Sequence, residues 1–292
     1  MRKIFVAFVF LVLLVWIFFP RTKHPYGRET YVIVSDPMIV LSWNPAEKEL
    51  TRILFPSDIA ADGTHGYGTY TLAAFWRLGE IDKKDGTVLS ETLSEALGIP
   101  IDGYIGSKNN TLLSPFIFSL KNILGAYRTN IPLTKFIQLA WELDIQRPNR
   151  VNTYDFSNNP SAISQLVQLP DRSTQWILDP QRIDAQLASV FEDDAARKES
   201  VSAAVYNTTG MPSLGNRVGR LLTNLGVSVV TVGNDTPEIK TCTLTGSAAI
   251  LKSKSAAIIM SVLGCTSMVG ETSRADLILR VGSSYAKRFL PN

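Results

Sequence analysis

Histidine and cysteine are nearly absent, with two of each in 292 residues: His24 and His65, Cys242 and Cys265. Two cysteines are too few for a disulfide scaffold and, with no histidine near them, too few for a structural zinc site. One loop histidine without a Ser or Cys elbow beside it does not make a triad, so His65 is expected simply to face solvent. Lys and Arg total 29 against 26 Asp and Glu, and Arg2 and Lys3 precede an apolar run, so the rest of the chain is close to neutral. Its basic residues form no stripe and carry no interleaved aromatic platform, which excludes a nucleic-acid surface. No helix-turn-helix pattern supports a regulator of transcription.

What the chain does have is one unbroken apolar run, IFVAFVFLVLLVWIFF at residues 4–19, behind Met1-Arg2-Lys3. As a helix it rises roughly 24 Å, slightly short of the roughly 30 Å hydrocarbon core. Trp16 at one interface and snorkelling Arg2, Lys3, Arg21 and Lys23 let it span. A cleaved signal peptide is the competing reading. The run is long for that, and the exit FFPRTKHPYGRE puts bulky and charged residues where cleavage needs small ones. Residues 1–24 are therefore expected to be an uncleaved membrane anchor. Arg21, Lys23 and Arg28 follow the run, yet a large domain translocates largely regardless of such charges, so they do not fix the topology.

About 270 residues follow the anchor, more than one average domain. The expected fold class is α/β, with an N-terminal transmembrane helix, a larger α/β sandwich domain and a smaller C-terminal α/β domain. The larger domain is placed at 30–156, a linker with an amphipathic helix at 157–199, and the smaller domain at 200–292. In the first, YVIVSD (31–36), MIVLSW (38–43) and RILF (52–55) read as strands, interrupted at Asn44-Pro45 and AEKEL. TLAAFWRLGEI (71–81) reads as a helix ending near Gly79, and SETLSEALG (90–98) as one with Ser90 as N-cap and Gly98 as terminator. IPIDGYIG (99–106) reads as a strand and LTKFIQLAWEL (133–143) as a helix. The Ser-, Asn-, Pro- and Gln-rich stretch 158–179 reads as a connector. Beyond it an amphipathic segment offers Ile183, Leu187, Val190 and Phe191 on one side.

The last ninety residues alternate strand and helix: 201–207, 216–226, 227–234, 241–246, 255–264 and 275–282. Gly210 and Gly215 have the separation of a phosphate-binding loop. Asn216 and Arg217 stand where its Lys and Ser/Thr belong, so nucleotide binding is not expected. Glu192, Asp193 and Asp194 are adjacent on a helix and point in different directions, the pattern of a solvated face rather than a metal site. In the glycine-rich loop DGTHGYGTY (62–70), Tyr67 and Tyr70 are candidate ligand contacts, suited to sugar faces or head groups; anchoring of the loop is the competing reading.

VSAAVYNTTGMPSLGNRVGRLLTNLGVSVVTVGN, followed by a Thr-Cys-Thr strand and ADLILRVGSSYAKRF, resembles the C-terminal domain often attached to LytR-CpsA-Psr family proteins, over about 201–289. SDPMIVLSWNPAEKELTRILFPSD (35–58) resembles the opening of that family's catalytic domain, and LSEALGIPIDGYIG (93–106) its later helix-strand segment. The resemblance implies a single N-terminal anchor in a bacterial cytoplasmic membrane with the bulk of the chain outside. It also implies transfer of polyprenyl-pyrophosphate-linked glycopolymers to peptidoglycan or protein, with a lipid-linked glycan or envelope protein as partner.

Departure of a pyrophosphate builds negative charge, which a divalent metal and several arginines must hold. By position Asp36 and Asp58 match two of the family's aspartates. Val34 and Ser57 stand where it has arginines, and its later Asp-x-x-Gly-Gly-Val segment has no counterpart. Arg77 and Arg52 could compensate. The expectation is a degenerate, non-catalytic relative without a cofactor; the alternative is a Mg²⁺-dependent transferase using Asp36, Asp58 and Arg77. Cys242, in a predicted strand, and Cys265, just after the next helix, can meet as a disulfide if the chain faces outward, or stay as two buried thiols.

Overall fold

The structure, a computed structural model, describes residues 26–107, 127–144, 150–169 and 171–290. The expected anchor at 1–24 lies outside the described residues, and among those described no helix is long and apolar enough to cross a membrane.

The first sheet starts as a meander. Strands β1 (Glu29–Ile33), β2 (Met38–Asn44) and β3 (Glu49–Phe55) pair antiparallel, Val32 opposite Val40 and Val40 opposite Ile53. The β2–β3 turn is tighter than the sequence suggests, because Asn44 Oδ1 accepts from the Ala46 and Glu47 amides and β3 begins already at Glu49. After strand β4 (Ala60–Asp62) and strand β5 (Thr69–Thr71) come helix α1 (Leu72–Ile81) and helix α2 (Thr87–Leu97). Helix α1 runs on past Gly79. Helix α2 starts three residues before the expected cap: Ser90 lies inside it, its hydroxyl donating to the Gly86 carbonyl at 2.9 Å. Gly98 closes α2 in the left-handed region at φ +63°.

Strand β6 (Gly103–Ser107), strand β7 (Tyr127–Thr129), helix α3 (Leu133–Asp144) and strand β8 (Arg150–Asp155) follow, and the six strands order as β7-β6-β1-β2-β3-β8. The inner strands of this sheet are buried on both faces, which is why β1 and β2 read as nearly continuous apolar runs. Val32, Val40, Ile53 and Phe55 meet α1 and α2 on one face; Tyr31, Ile33, Leu41 and Trp43 meet Phe136 and Leu139 of α3 on the other.

The stretch read as a connector is strand-forming. Strands β9 (Ser164–Gln168) and β10 (Thr174–Leu178) form a hairpin that joins β4 and β5 in a second sheet, order β5-β4-β10-β9. β9 and β10 mix exposed polar with half-buried apolar residues, and the Ser-, Asn- and Pro-rich sequence around them hides them. Helix α4 (Pro180–Leu187) then returns Ile183 and Leu187 to the core of the first unit, together with Phe191. A short helix α5 (Asp194–Glu199), capped by Asp193 through two amide bonds of 3.0 Å, leads onward.

The C-terminal unit follows the expected alternation: strand β11 (Ser202–Asn207), helix α6 (Leu214–Asn224), strand β12 (Ser228–Asn234), strand β13 (Thr243–Gly246), helix α7 (Lys254–Leu263) and, after an unforeseen exposed strand β14 (Thr266–Val269), strand β15 (Leu277–Val281). Their order is β12-β11-β15-β13-β14. Ala203, Val205, Leu244, Leu277 and Leu279 share one face, packed under α6 and α7. Cys242 and Cys265 are joined by a disulfide with Cα atoms 4.5 Å apart. Tyr26, which precedes β1 in the chain, is buried in this second core rather than the first.

Candidate functional site

The register of β2 on β3 places Asp36 and Asp58 at one end of the same hairpin, since Met38 faces Phe55 and each aspartate lies just beyond. Ser57 donates to Asp36 Oδ1 at 3.2 Å. Both carboxylates are exposed. The amino end of α1 is tied to the same turn, with the Ala73 amide donating to the Ser57 carbonyl at 3.1 Å. Arg77 stands one turn further along α1, exposed and, among the described residues, in no ion pair.

Three other arginines near this sheet are bonded elsewhere. Buried Arg28 pairs with Glu49 at 2.7 Å, Arg128 binds Glu80 and Asp85, and Arg52 donates to Thr153 at 3.2 Å. None converges on Asp36 or Asp58 among the described residues. Magnesium keeps several waters and takes one or two carboxylates plus substrate phosphates, so two aspartates at one hairpin end have the chemistry for the metal half of a phosphoryl site. Its weak half is the cation set that a diphosphate leaving group requires.

Within the loop 62–70, Tyr67 packs partly on the first core and its hydroxyl donates to Asp82. Desolvation, with the Asp82 bond and charge adding to it, pushes the Tyr67 phenol up to about 12. Tyr70 is 47% exposed and stands edge-on to Phe75 with ring centres 6.1 Å apart. His65 does not face solvent. Its side chain is largely enclosed, Nε2 lies 2.5 Å from Glu91 Oε2 on α2, and its amide donates to the Arg288 carbonyl at 2.9 Å. The loop is therefore held between α2 and the C-terminal segment, a long-range placement that local sequence does not reveal.

A larger polar cluster joins the two units and escapes a sequence reading altogether. Arg220 of α6 grips Asp184 of α4 through Nε and Nη2, each at 2.7 Å, and donates to the Glu95 and Ala96 carbonyls at 2.8 and 2.9 Å. Asn224, one turn on, reaches the Gly98 carbonyl at 3.3 Å, and Arg217 pairs with Glu95 at 3.1 Å. The last carbonyls of α2 are thus satisfied by side chains of the C-terminal unit. Burial raises the Glu95 carboxyl above its ordinary range, against the lowering effect of Arg217 and Arg220.

Residues 200–285, which span β11 to β15 and their two helices, match the family model described as LytR cell envelope-related transcriptional attenuator. The C-terminal unit is a LytR_C domain. The match agrees with the resemblance seen in its order of strand, turn, helix and closing strand. No curated protein matches the chain. Among solved structures, Bacillus subtilis TagT is 12% identical, with a TM-score of 0.40, over 56% of this chain and 89% of that one. TagU of B. subtilis is 10% identical, TM-score 0.37, over 55% and 94%. A LytR-CPS2A-psr family protein, YwtF (TagT), solved with bound octaprenyl pyrophosphate lipid, is 13% identical, TM-score 0.38, over 55% and 88%. The LytR_C domain docks through Arg217, Arg220 and Asn224 on the unit that carries Asp36 and Asp58.

Proposed function

We propose that this chain is a membrane-anchored protein of the bacterial cell envelope, held by residues 1–24 with its bulk outside the cytoplasmic membrane, whose role there is to bind or organise rather than to transfer. The LytR_C domain supports the envelope setting. A disulfide between Cys242 and Cys265 suits an oxidising compartment outside the cytoplasm. The observation that carries the non-catalytic reading is the commitment of Arg28, Arg128 and Arg52 to partners away from Asp36 and Asp58. A departing diphosphate needs several fixed cations at once, and one exposed arginine is a weak substitute.

The enzyme reading, a Mg²⁺-dependent transfer of polyprenyl-pyrophosphate-linked glycopolymer, draws its support from the position of Asp36 and Asp58 at one hairpin end and from Arg77, which is in no ion pair among the described residues. In it the two aspartates would hold the metal, which would supply charge neutralisation to the diphosphate, and Arg77 would face the leaving group. The two readings separate in one assay. Purified chain is mixed with a polyprenyl-pyrophosphate-linked saccharide and Mg²⁺, and both thermal shift and release of polyprenyl phosphate or pyrophosphate are followed. No turnover is expected. Turnover abolished by Asp58→Ala would overturn the non-catalytic reading.

A further inference from the structure

At the opposite end of β1 from Asp36 lies a groove between the two units, separated from the aspartate pair by roughly 20 Å of strand at about 3.3 Å per residue. Its main cavity, of about 250 Å³, adjoins a second of about 180 Å³ within the first unit, and Asp102 and Asn130 line both. One end is closed by Glu29 and Lys135, the other by Glu91 of α2 and Arg288 of the C-terminal segment, while Ile101, Leu221 and Val262 give it an apolar lining.

The polar groups of the groove are held in place by bonds behind them. Asp102 Oδ2 accepts from the Thr30 amide at 2.7 Å, Glu29 from Lys135 at 2.5 Å, and Glu91 faces His65 at 2.5 Å. Asn130 Oδ1 accepts from the Tyr104 amide at 2.9 Å, which fixes the amide orientation and turns its NH₂ donors away from that strand. Gly103 permits this, because a Cβ there would stand 2.7 Å from Asn130 Oδ1. The result is a set of held acceptors (Asp102, Glu91, Glu29) beside the donors Asn130 and Lys135, with Arg288 stacked 4.9 Å from the Tyr285 ring centre at the rim, over apolar carbon.

Three carboxylates repel a polyanion. A small cation would have to compete with Lys135 and His65 for carboxylates they already hold, and among the described residues no group of three or more His, Cys, Asp and Glu could hold a metal ion. A polyhydroxylated ring displaces neither partner: an ion-paired carboxylate keeps lone pairs that accept from hydroxyls, the amide and guanidinium donate to those hydroxyls, and the C–H face covers the apolar lining.

We propose that this groove binds a short neutral saccharide, with Asp102 and Asn130 at its centre and Arg288 of the C-terminal segment closing one end. The inference gives the binding role above an address and rests on that reading. Because Leu221, Val262 and Arg288 all follow the junction, the site is complete only while the units stay docked.

The test uses the full chain, with chitobiose and maltose as probes and inorganic pyrophosphate as the anionic control, followed by calorimetry and ligand-observed NMR. Saturable binding of at least one disaccharide is expected, weakened at least about tenfold by Arg288→Ala and by Asn130→Ala, the loss of one or two polar bonds. Arg288 is an exposed side chain, so its variant keeps the fold even if Asn130→Ala does not; circular dichroism checks both. Asp58→Ala should leave the affinity unchanged. The proposal is overturned if neither disaccharide binds, if binding survives Arg288→Ala undiminished, if Asp58→Ala abolishes it, or if pyrophosphate displaces the sugar. Polyprenyl transfer is read separately, so turnover would sink the non-catalytic reading while leaving the groove measurement intact.

Discussion

Arg220 and Asp184 form a two-point pair, with both guanidinium–carboxylate contacts at 2.7 Å, and the same guanidinium carries the Glu95 and Ala96 carbonyls. One side chain therefore ties α6 of the LytR_C domain to two helices of the preceding unit. Arg220→Ala leaves Asp184 without its bidentate partner and the Ala96 carbonyl without its side-chain donor, while the Glu95 carbonyl keeps only the Gly98 amide. We expect a loss of about 1–3 kcal/mol, discounted for partial exposure of the pair. Denaturant unfolding followed by fluorescence should broaden or split as the units uncouple. Arg220→Lys keeps the charge but not the fork and should recover only a minor part. A single transition with unchanged midpoint in Arg220→Ala would contradict this role.

Glu95 sits beside that pair, and the sign of its pH effect follows from burial. Its carboxyl is raised from an ordinary 4.5, with desolvation outweighing Arg217 and Arg220, so the folded chain holds this proton more tightly than the unfolded chain does. The stability it contributes is present in full below 4.5 and is lost as pH rises through the raised value. Glu95→Gln removes the ionisation and keeps an acceptor for Arg217. Melting temperatures measured from acid to neutral pH should show a flatter profile in the variant and no loss at neutral pH. A large loss there would mean that the ion pair outweighs desolvation.

Local chemistry was legible where it decided the outcome. Gly98 and Gly264 both terminate helices in the left-handed region, and the Asn44-Pro45 signal falls on a real turn. The apolar stripe Val218, Leu221, Leu222 and Leu225 covers the C-terminal sheet as its spacing predicts. Elements settled by distant partners were not legible. The β9–β10 hairpin is only partly buried and is flanked by polar residues, and β10 ties it to β4, Ile177 beside Ala60. Asp36 and Asp58 lie just beyond one end of the β2–β3 ladder, a placement that follows from the register. Asp102, Asn130 and Arg288 carried no motif, and only the packing of the two units makes them neighbours.

The disulfide contributes through the unfolded chain. Cys242 and Cys265 are 23 residues apart, and closing a loop of that size is worth about 3 kcal/mol in the chain-entropy model. Reduction, or paired Cys242→Ser and Cys265→Ser replacement, should lower the melting temperature of the LytR_C domain by several degrees. Cys242 is almost fully buried, so the serine pair adds a desolvation cost that reduction does not. Reduction is therefore the cleaner measurement, and an unchanged melting curve under reductant would remove the bond from the stability of this domain.

Tyr26 tests how the chain enters the molecule. It lies at the edge of the described residues, yet its ring is buried among Ala196, Val201 and Leu225 and its hydroxyl donates to the Phe191 carbonyl at 2.7 Å, across 165 positions of sequence. Burial drives its phenol far above the ordinary tyrosine range, so it stays protonated and donates throughout the physiological range. Tyr26→Phe removes the bond alone and should cost about 1 kcal/mol; Tyr26→Ala empties the site and should cost about 3–5 kcal/mol. Under the anchored reading this contact fixes the membrane-proximal end of the chain against the LytR_C domain. Tyr26→Ala should then raise protease cleavage between residue 20 and Arg28 in membrane-bound protein well before global unfolding. Equal cleavage in wild type and variant would show that the core contact does not hold that end down.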